Sequence, residues 1–147
     1  MAEVGNIPLA EELLQTMRAA AQAAADLGEP LITPRTLLLA ILDSPQLGEA
    51  VAKVVDREKV LAASLEYRSD GNNTLSFKTP DGKHSVWLSK EALHVFMEGA
   101  KRVQVRYGTR ELVLGLVADA RFAGGILAAI RLEPGLLADA VGRARAT

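Results

Sequence analysis

The sequence is 147 residues long, carries 17 basic and 18 acidic side chains for a formal charge of −1, and has 4% aromatic residues and no cysteine. A chain of this size buries about two thirds of its unfolded surface as one domain. The lack of cysteine excludes disulfides and thiolate metal sites, and the balanced charge offers no overall field to nucleic acid or an anionic membrane. No segment approaches the ~18 apolar residues of a membrane span, and Met1 to Pro8 has no basic stretch leading into an apolar one, so a soluble cytoplasmic protein is the expectation. Alanine, leucine and valine outweigh the aromatics, which favours small-residue helix packing.

Asn6-Ile7-Pro8 predicts a helix start, with Asn6 as cap and proline in the first turn. Leu9, Leu13, Leu14, Met17, Ala20, Ala21, Ala24 and Leu27 then recur at helical spacing until Gly28-Glu29-Pro30 stops the helix. Thr33-Pro34 restarts one, and the run to Leu42 has almost no polar face, so this helix is expected to be enclosed by others. After Asp43-Ser44-Pro45, a third helix over residues 46–55 carries Leu47, Ala50, Val51, Val54 and Val55, and Asp56 caps a fourth with Val60, Leu61 and Leu65 inward.

Composition shifts at Arg68 to Asn73, a polar turn-forming cluster. Residues 74–78 and 83–88 flank Thr79-Pro80-Asp81-Gly82 and predict a β-hairpin with Leu75, Phe77 and Val86 on one face, lying against the helices. Ser89 caps a fifth helix whose stripe is Leu93, Phe96, Met97, Ala100 and Val103. Tyr107-Gly108 ends it. Thr109 to Ala118 is a second enclosed helix, Phe122 to Ile130 a short seventh, and Glu133-Pro134-Gly135 opens an eighth through Leu136, Leu137 and Val141, with a tail over 143–147 expected to fray.

The two enclosed runs, Ile32 to Leu42 and Tyr107 to Val117, align at a constant offset of 75 residues, each with an arginine in the same place of its polar opening, Arg35 and Arg110. Gly48 to Val55 matches Ala123 to Ile130 at the same offset, and small gaps align Asp56 to Leu61 with Glu133 to Leu137. Two copies of a four-helix unit are too few for an open solenoid and are expected to pack as a pseudo-twofold pair. The expected fold class is all-α in a single domain: repeat one over residues 6–67, a short hairpin linker over 68–88 and repeat two over 89–142.

These residues resemble the N-terminal repeat domain of the Clp ATPases, the unfoldases of the Hsp100 group. In that family each repeat carries isoleucine or valine, glycine or threonine, threonine, glutamate, histidine, and then a Leu-Leu-Leu-Gly/Ala-Leu-Leu run followed by a helix, a short turn and a last helix. Ile32 to Leu42 with Val54-Val55-Asp56 fills the first copy, and Tyr107 to Val117 with Ile130 to Leu137 the second. The resemblance implies a protein-binding domain that docks adaptors or substrates for an ATP-driven unfoldase and its protease. The chain has no Gly-x-x-x-x-Gly-Lys-Ser/Thr phosphate loop, so the resemblance is to the recognition domain as a stand-alone protein without the motor. Some Clp proteins of this type recognise phosphorylated arginine, with the glutamate of each motif receiving the guanidinium. Both glutamate positions are arginine here, which would repel a guanidinium, so that activity is expected to be lost. The histidine positions hold Thr36 and Glu111.

The residues expected to meet a partner are Thr33, Arg35 and Thr36, then Thr109, Arg110 and Glu111, and Trp87. Arg35 and Arg110 stand near helix N-termini, where the backbone favours anions. Two readings stay open: paired sites for carboxylate or phosphate groups, or surface arginines in local ion pairs, such as Arg110 with Glu111. Trp87 either faces a partner on the outer side of the hairpin or closes the core at the start of helix five. His84 beside Asp81 and Ser85 is a turn and not a triad, Asp70 to Asn73 lacks the ligand spacing of an EF-hand, and Lys101, Arg102 and Arg106 read as a solvated helix face without nucleic-acid signature. The expectation is a non-enzymatic recognition module in protein quality control, with no cofactor and no metal. It would be a monomer or weak homodimer whose partner is a Clp unfoldase, an adaptor or a client polypeptide. The alternatives are a small-anion or phospho-ligand sensor using the paired arginines, and a homo-oligomeric structural protein.

Overall fold

The structure, a computed structural model, describes residues 3–4, 7–63, 65–123 and 125–145. It opens on β1 (Glu3–Val4) and β2 (Ile7–Pro8), an antiparallel pair, ahead of α1 (Glu11–Asp26). The first helix therefore starts later than its proline predicts. Leu9 bridges Tyr107 in parallel, the Tyr107 N–H donates to the Pro8 carbonyl at 2.9 Å, and the Ala10 N–H donates to the Tyr107 carbonyl at 2.8 Å. These bonds hold Ile7 to Ala10 extended, so Pro8 precedes the helix; the expected cap Asn6 lies outside the described residues. Leu13, Met17, Ala20, Ala21 and Ala24 are buried as the spacing requires, whereas Leu27 forms the helix end and is exposed. Gly28, at φ +70°, lets the Glu29 N–H return to the Ala24 carbonyl at 2.8 Å, a Schellman closure.

The chain then runs through β3 (Leu31–Ile32) into α2 (Pro34–Leu42), in which Pro34 and every residue from Thr36 to Ile41 are buried. α3 (Gly48–Ala52) is shorter than expected and crosses close to the end of α2: a β-carbon at Gly48 would stand 2.4 Å from the Leu42 carbonyl oxygen. α4 (Arg57–Ala62) is capped by Asp56, which accepts the Glu58 N–H at 3.0 Å. With so few turns only Val60 faces inward, and Leu61, expected inside, is exposed.

The hairpin is present as β4 (Ser76–Lys78) and β5 (Ser85–Leu88), with Phe77 opposite Val86, both buried on its inner face. Its turn closes through Gly82, at φ +74°, and through Asp81, which accepts the Lys83 N–H at 2.9 Å and the Thr79 hydroxyl; the Thr79 bond is the main cause that holds the Asp81 carboxyl below its ordinary value. The hairpin is not a separate ribbon. β3 adds in parallel to β5, Leu31 beside Trp87 and Ile32 beside Leu88, giving a three-stranded sheet of order β3-β5-β4. The fold is thus mostly helical with a small sheet, in which β3 joins the expected hairpin. The third strand supplies the support that a lone two-stranded hairpin lacks in water.

Ser89 caps α5 (Lys90–Ala100) by accepting the Ala92 N–H at 3.0 Å. The buried stripe is Ala92, Val95, Phe96 and Gly99, rotated from the expected one, and Met97 is 49% exposed. The reason lies in α6 (Thr109–Ala123), which crosses α5 backbone to backbone: a β-carbon at Gly99 would meet the Glu111 carbonyl oxygen at 2.7 Å, and one at Gly115 the Val95 carbonyl oxygen at 2.3 Å. α6 also runs on to Ala123, past the expected end at Ala118 and through Phe122, because no proline interrupts it as Pro45 follows α2. The seventh helix is reduced to α7 (Ile126–Ala129). α8 (Pro134–Arg145) buries Leu137, Ala140 and Val141, while Leu136 is exposed, and the expected fraying tail is helical up to Arg145, with Ala146 and Thr147 outside the described residues. Among the described residues, no helix is long and apolar enough to cross a membrane.

Candidate functional site

The two aligned runs open on helix first turns built to one plan. In α2, Thr33 is the N-cap: its hydroxyl accepts the Thr36 N–H at 3.3 Å, and the Thr36 hydroxyl accepts the Thr33 N–H at 2.8 Å. In α6 the residues at the same offset are Gly108 and Glu111, and Glu111 Oε1 accepts the Gly108 N–H at 2.9 Å. Glycine has no side chain to complete the reciprocal bond. Glu12 of α1 instead caps a different donor of that turn from outside: its Oε1 accepts the Thr109 N–H at 3.1 Å and its Oε2 accepts the Thr109 hydroxyl, which also lies 3.1 Å from the Thr16 hydroxyl, while the Glu111 N–H donates to the Gly108 carbonyl at 3.1 Å. A β-carbon at Gly108 would stand 2.6 Å from Glu12 Oε1, so the glycine makes room for the carboxylate. Both first turns are therefore filled by the protein's own acceptors, each cap contributing about 1 kcal/mol. Thr33, Thr36 and Thr109 are all buried in these networks.

The two arginines have different surroundings. Arg35 Nη1 donates to the carbonyls of Leu61 at 3.2 Å and Ala63 at 3.0 Å, so it caps the end of α4, and Nη2 ion-pairs with Glu29. Its side chain is 19% exposed. Arg110 bonds only its neighbour, Nη1 to Glu111 Oε2 at 3.3 Å, is 33% exposed, and keeps its Nε without an acceptor among the described residues. Arg110 lines a cleft of about 440 Å³ with Arg102, Gln104, Val105, Arg106, Glu111 and Leu114. Arg102 is tied to the α5 end, its Nη1 donating to the Glu98 carbonyl and standing 3.5 Å from Glu98 Oε2.

Beneath the cleft, the Tyr107 hydroxyl donates to the Phe96 carbonyl at 2.6 Å, and the two rings lie 4.7 Å apart. Burial first, and then the charge of Glu111, push the Tyr107 hydroxyl well above its ordinary value. Trp87 stands on the outer face of the sheet between Leu31 and Ser76 and is 38% exposed. The structure thus leaves two of the expected residues at the surface, Arg110 and Trp87, with Glu111, at 15% exposure, lining the cleft edge, and does not gather them with the others into one site. Glu12, which caps the α6 first turn, and Glu29, which pairs with Arg35, carry no local sequence signal; a glycine at the N-cap position of α6 was the one hint that a side chain must come from elsewhere. Among the described residues, no group of three or more His, Cys, Asp or Glu side chains is placed to hold a metal ion.

No protein-family model and no curated protein matches the sequence. Solved structures do match. One is the N-terminal domain of the caseinolytic protease associated chaperone ClpD from Arabidopsis thaliana, 20% identical, with a TM-score of 0.64 over 98% of this chain and 100% of that chain. The chain therefore has a Clp N-domain-like fold.

Proposed function

We propose that this chain is a non-enzymatic protein-recognition module of the Clp N-domain type, binding a client polypeptide, an adaptor or a Clp unfoldase in cytoplasmic protein quality control. The observation that carries it is the end-to-end likeness of the fold to the ClpD N-terminal domain. The two-copy layout belongs to the same reading, with repeat one at 6–67, the linker at 68–88 and repeat two at 89–142. Its support is the shared plan of the α2 and α6 first turns and the matching parallel bridges that lead into them, Ile32 with Leu88 and Tyr107 with Leu9.

Of the residues expected at the site, Arg110, Glu111 and Trp87 are proposed as partner contacts. Thr33, Thr36, Thr109 and Arg35 are proposed to act behind the surface, by fixing the first turns. The paired-arginine sensor is disfavoured by the commitments of Arg35 to Glu29, Leu61 and Ala63. Interferometry with the immobilised chain tests the proposal. Saturable binding to a permanently unfolded polypeptide or to a purified Clp unfoldase is expected, with phosphate and phosphoamino acids bound far more weakly; the reverse pattern would establish the sensor.

A further inference from the structure

We infer that the cleft between the α5–α6 connection and the first turn of α6 takes an acidic peptide segment of the partner, an inference that rests on the recognition reading above. The two arginines at equivalent sequence positions have diverged in role: Arg35 is closed into the fold by two carbonyls and Glu29, whereas Arg110 opens on a cleft. Three guanidinium groups line that cleft, from Arg102, Arg106 and Arg110, against the single carboxylate of Glu111. Glu111 is already committed, Oε1 to the Gly108 N–H and Oε2 to Arg110. Arg102 leans on Glu98, whose carboxylate also holds Lys101 at 2.9 Å. Arg106 is exposed and makes no ion pair with a carboxylate among the described residues, and Arg110 reaches Glu111 through Nη1 at 3.3 Å. The positive charge that no carboxylate matches therefore comes from Arg106 and from the sharing of one Glu98 carboxylate between Lys101 and Arg102, while Arg110 faces the cleft already paired with Glu111.

Val105 also lines the cleft and is 82% exposed, the most exposed large hydrophobic residue among the described residues. A segment carrying two or more aspartates or glutamates beside an apolar residue complements this arrangement. The carboxylates would bind the guanidiniums in charge-assisted bonds, which are planar and often bidentate, and the apolar residue would cover Val105. Inorganic phosphate would satisfy the arginines alone. Nucleic acid fits less well, since the chain's net charge of −1 gives no field to hold a polyanion outside the cleft.

The test is fluorescence anisotropy of the whole chain with three labelled eight-residue peptides, acidic, neutral and basic, each containing leucine, at two salt concentrations. The acidic peptide is expected to bind at least tenfold tighter than the basic one, and more weakly at higher salt. R106E and R110A together are expected to lower its affinity tenfold or more while circular dichroism stays unchanged, with R57A, on α4, leaving it intact. Phosphate is expected to compete only at concentrations far above the peptide's. Unchanged acidic-peptide binding in the cleft variants, or equal competition by phosphate, would overturn the inference and leave the recognition reading standing. Failure of all three peptides, together with failure of the unfolded-client and unfoldase measurements, would remove both.

Discussion

Glu12, in the first turn of α1, accepts the backbone N–H of Thr109, in the first turn of α6, at 3.1 Å. Ninety-seven residues of chain separate the two, so the start of the second enclosed helix is completed by the first helix of the chain. Replacing Glu12 with alanine strips the Thr109 N–H of its acceptor and leaves the Thr109 hydroxyl with the Thr16 hydroxyl in place of a carboxylate, and the loss is expected to be about 1–3 kcal/mol. E12Q keeps an acceptor oxygen but loses the charge that favours a helix N-terminus, so it should lose less, about 1 kcal/mol. Urea unfolding of the two variants measures the difference; equal stability of E12A and wild type would show that the cap is not formed in solution.

The crossing of α5 and α6 depends on two glycines. At Gly99 a β-carbon would collide with the Tyr107 hydroxyl at 2.2 Å and the Glu111 carbonyl oxygen at 2.7 Å. G99A is therefore expected to lose about 1–3 kcal/mol through overpacking, although alanine is the better helix former by about 1 kcal/mol. A thermal melt that rises in G99A would mean that the helices stand further apart.

Tyr107 gives the pH dependence. Its folded-state value is raised above the ordinary 10.0 because burial disfavours the phenolate. Below pH 10 the folded and unfolded chains both hold the proton. As pH rises above 10 the unfolded chain loses it while the folded chain keeps it, so stability falls. Y107F should abolish this alkaline decline, at the expense of about 1 kcal/mol at neutral pH for the lost bond to the Phe96 carbonyl. Urea midpoints at pH 8 and pH 11 for the two proteins make the comparison.

The two arginines should also separate in stability. R35A removes two bonds to the end of α4 and leaves Glu29 half-enclosed without its partner, an expected loss of about 1–3 kcal/mol. R110A removes one partly buried pair with its neighbour, worth at most about 0.5–1 kcal/mol. Similar losses in the two variants would contradict the different roles assigned to them.

Much of this was legible in the leucines. A helix with no polar face has to be enclosed, so the run from Leu37 to Ile41 announced its burial and its second copy announced the other. Strand–turn–strand chemistry around Pro80-Asp81-Gly82 announced the hairpin. What stayed hidden depended on partners far away in the chain. Two residues, Leu31 and Ile32, are too short to read as a strand until β5 lies beside them. Ala92 and Gly99 share the packing face of α5 with Val95 and Phe96 because α6 comes close enough to need a glycine there, and an apolar-spacing rule follows Leu93 and Met97 instead. At the site, the arginine pair was visible but its asymmetry was not, since Arg35 is met from two separate segments, by Glu29 and by the carbonyls of Leu61 and Ala63 at the end of α4.

The recognition proposal is tested most directly by titrating the fluorescence of Trp87, the single tryptophan of the chain, with a permanently unfolded polypeptide. A saturable change in emission is expected, with a Kd in the micromolar range, about −8 kcal/mol, and with no response to phosphate. W87A is expected to keep its helical content and to bind the same polypeptide more weakly in a label-based assay. A Trp87 spectrum indifferent to polypeptide at every concentration, together with unweakened binding by W87A, would contradict the proposed contact surface.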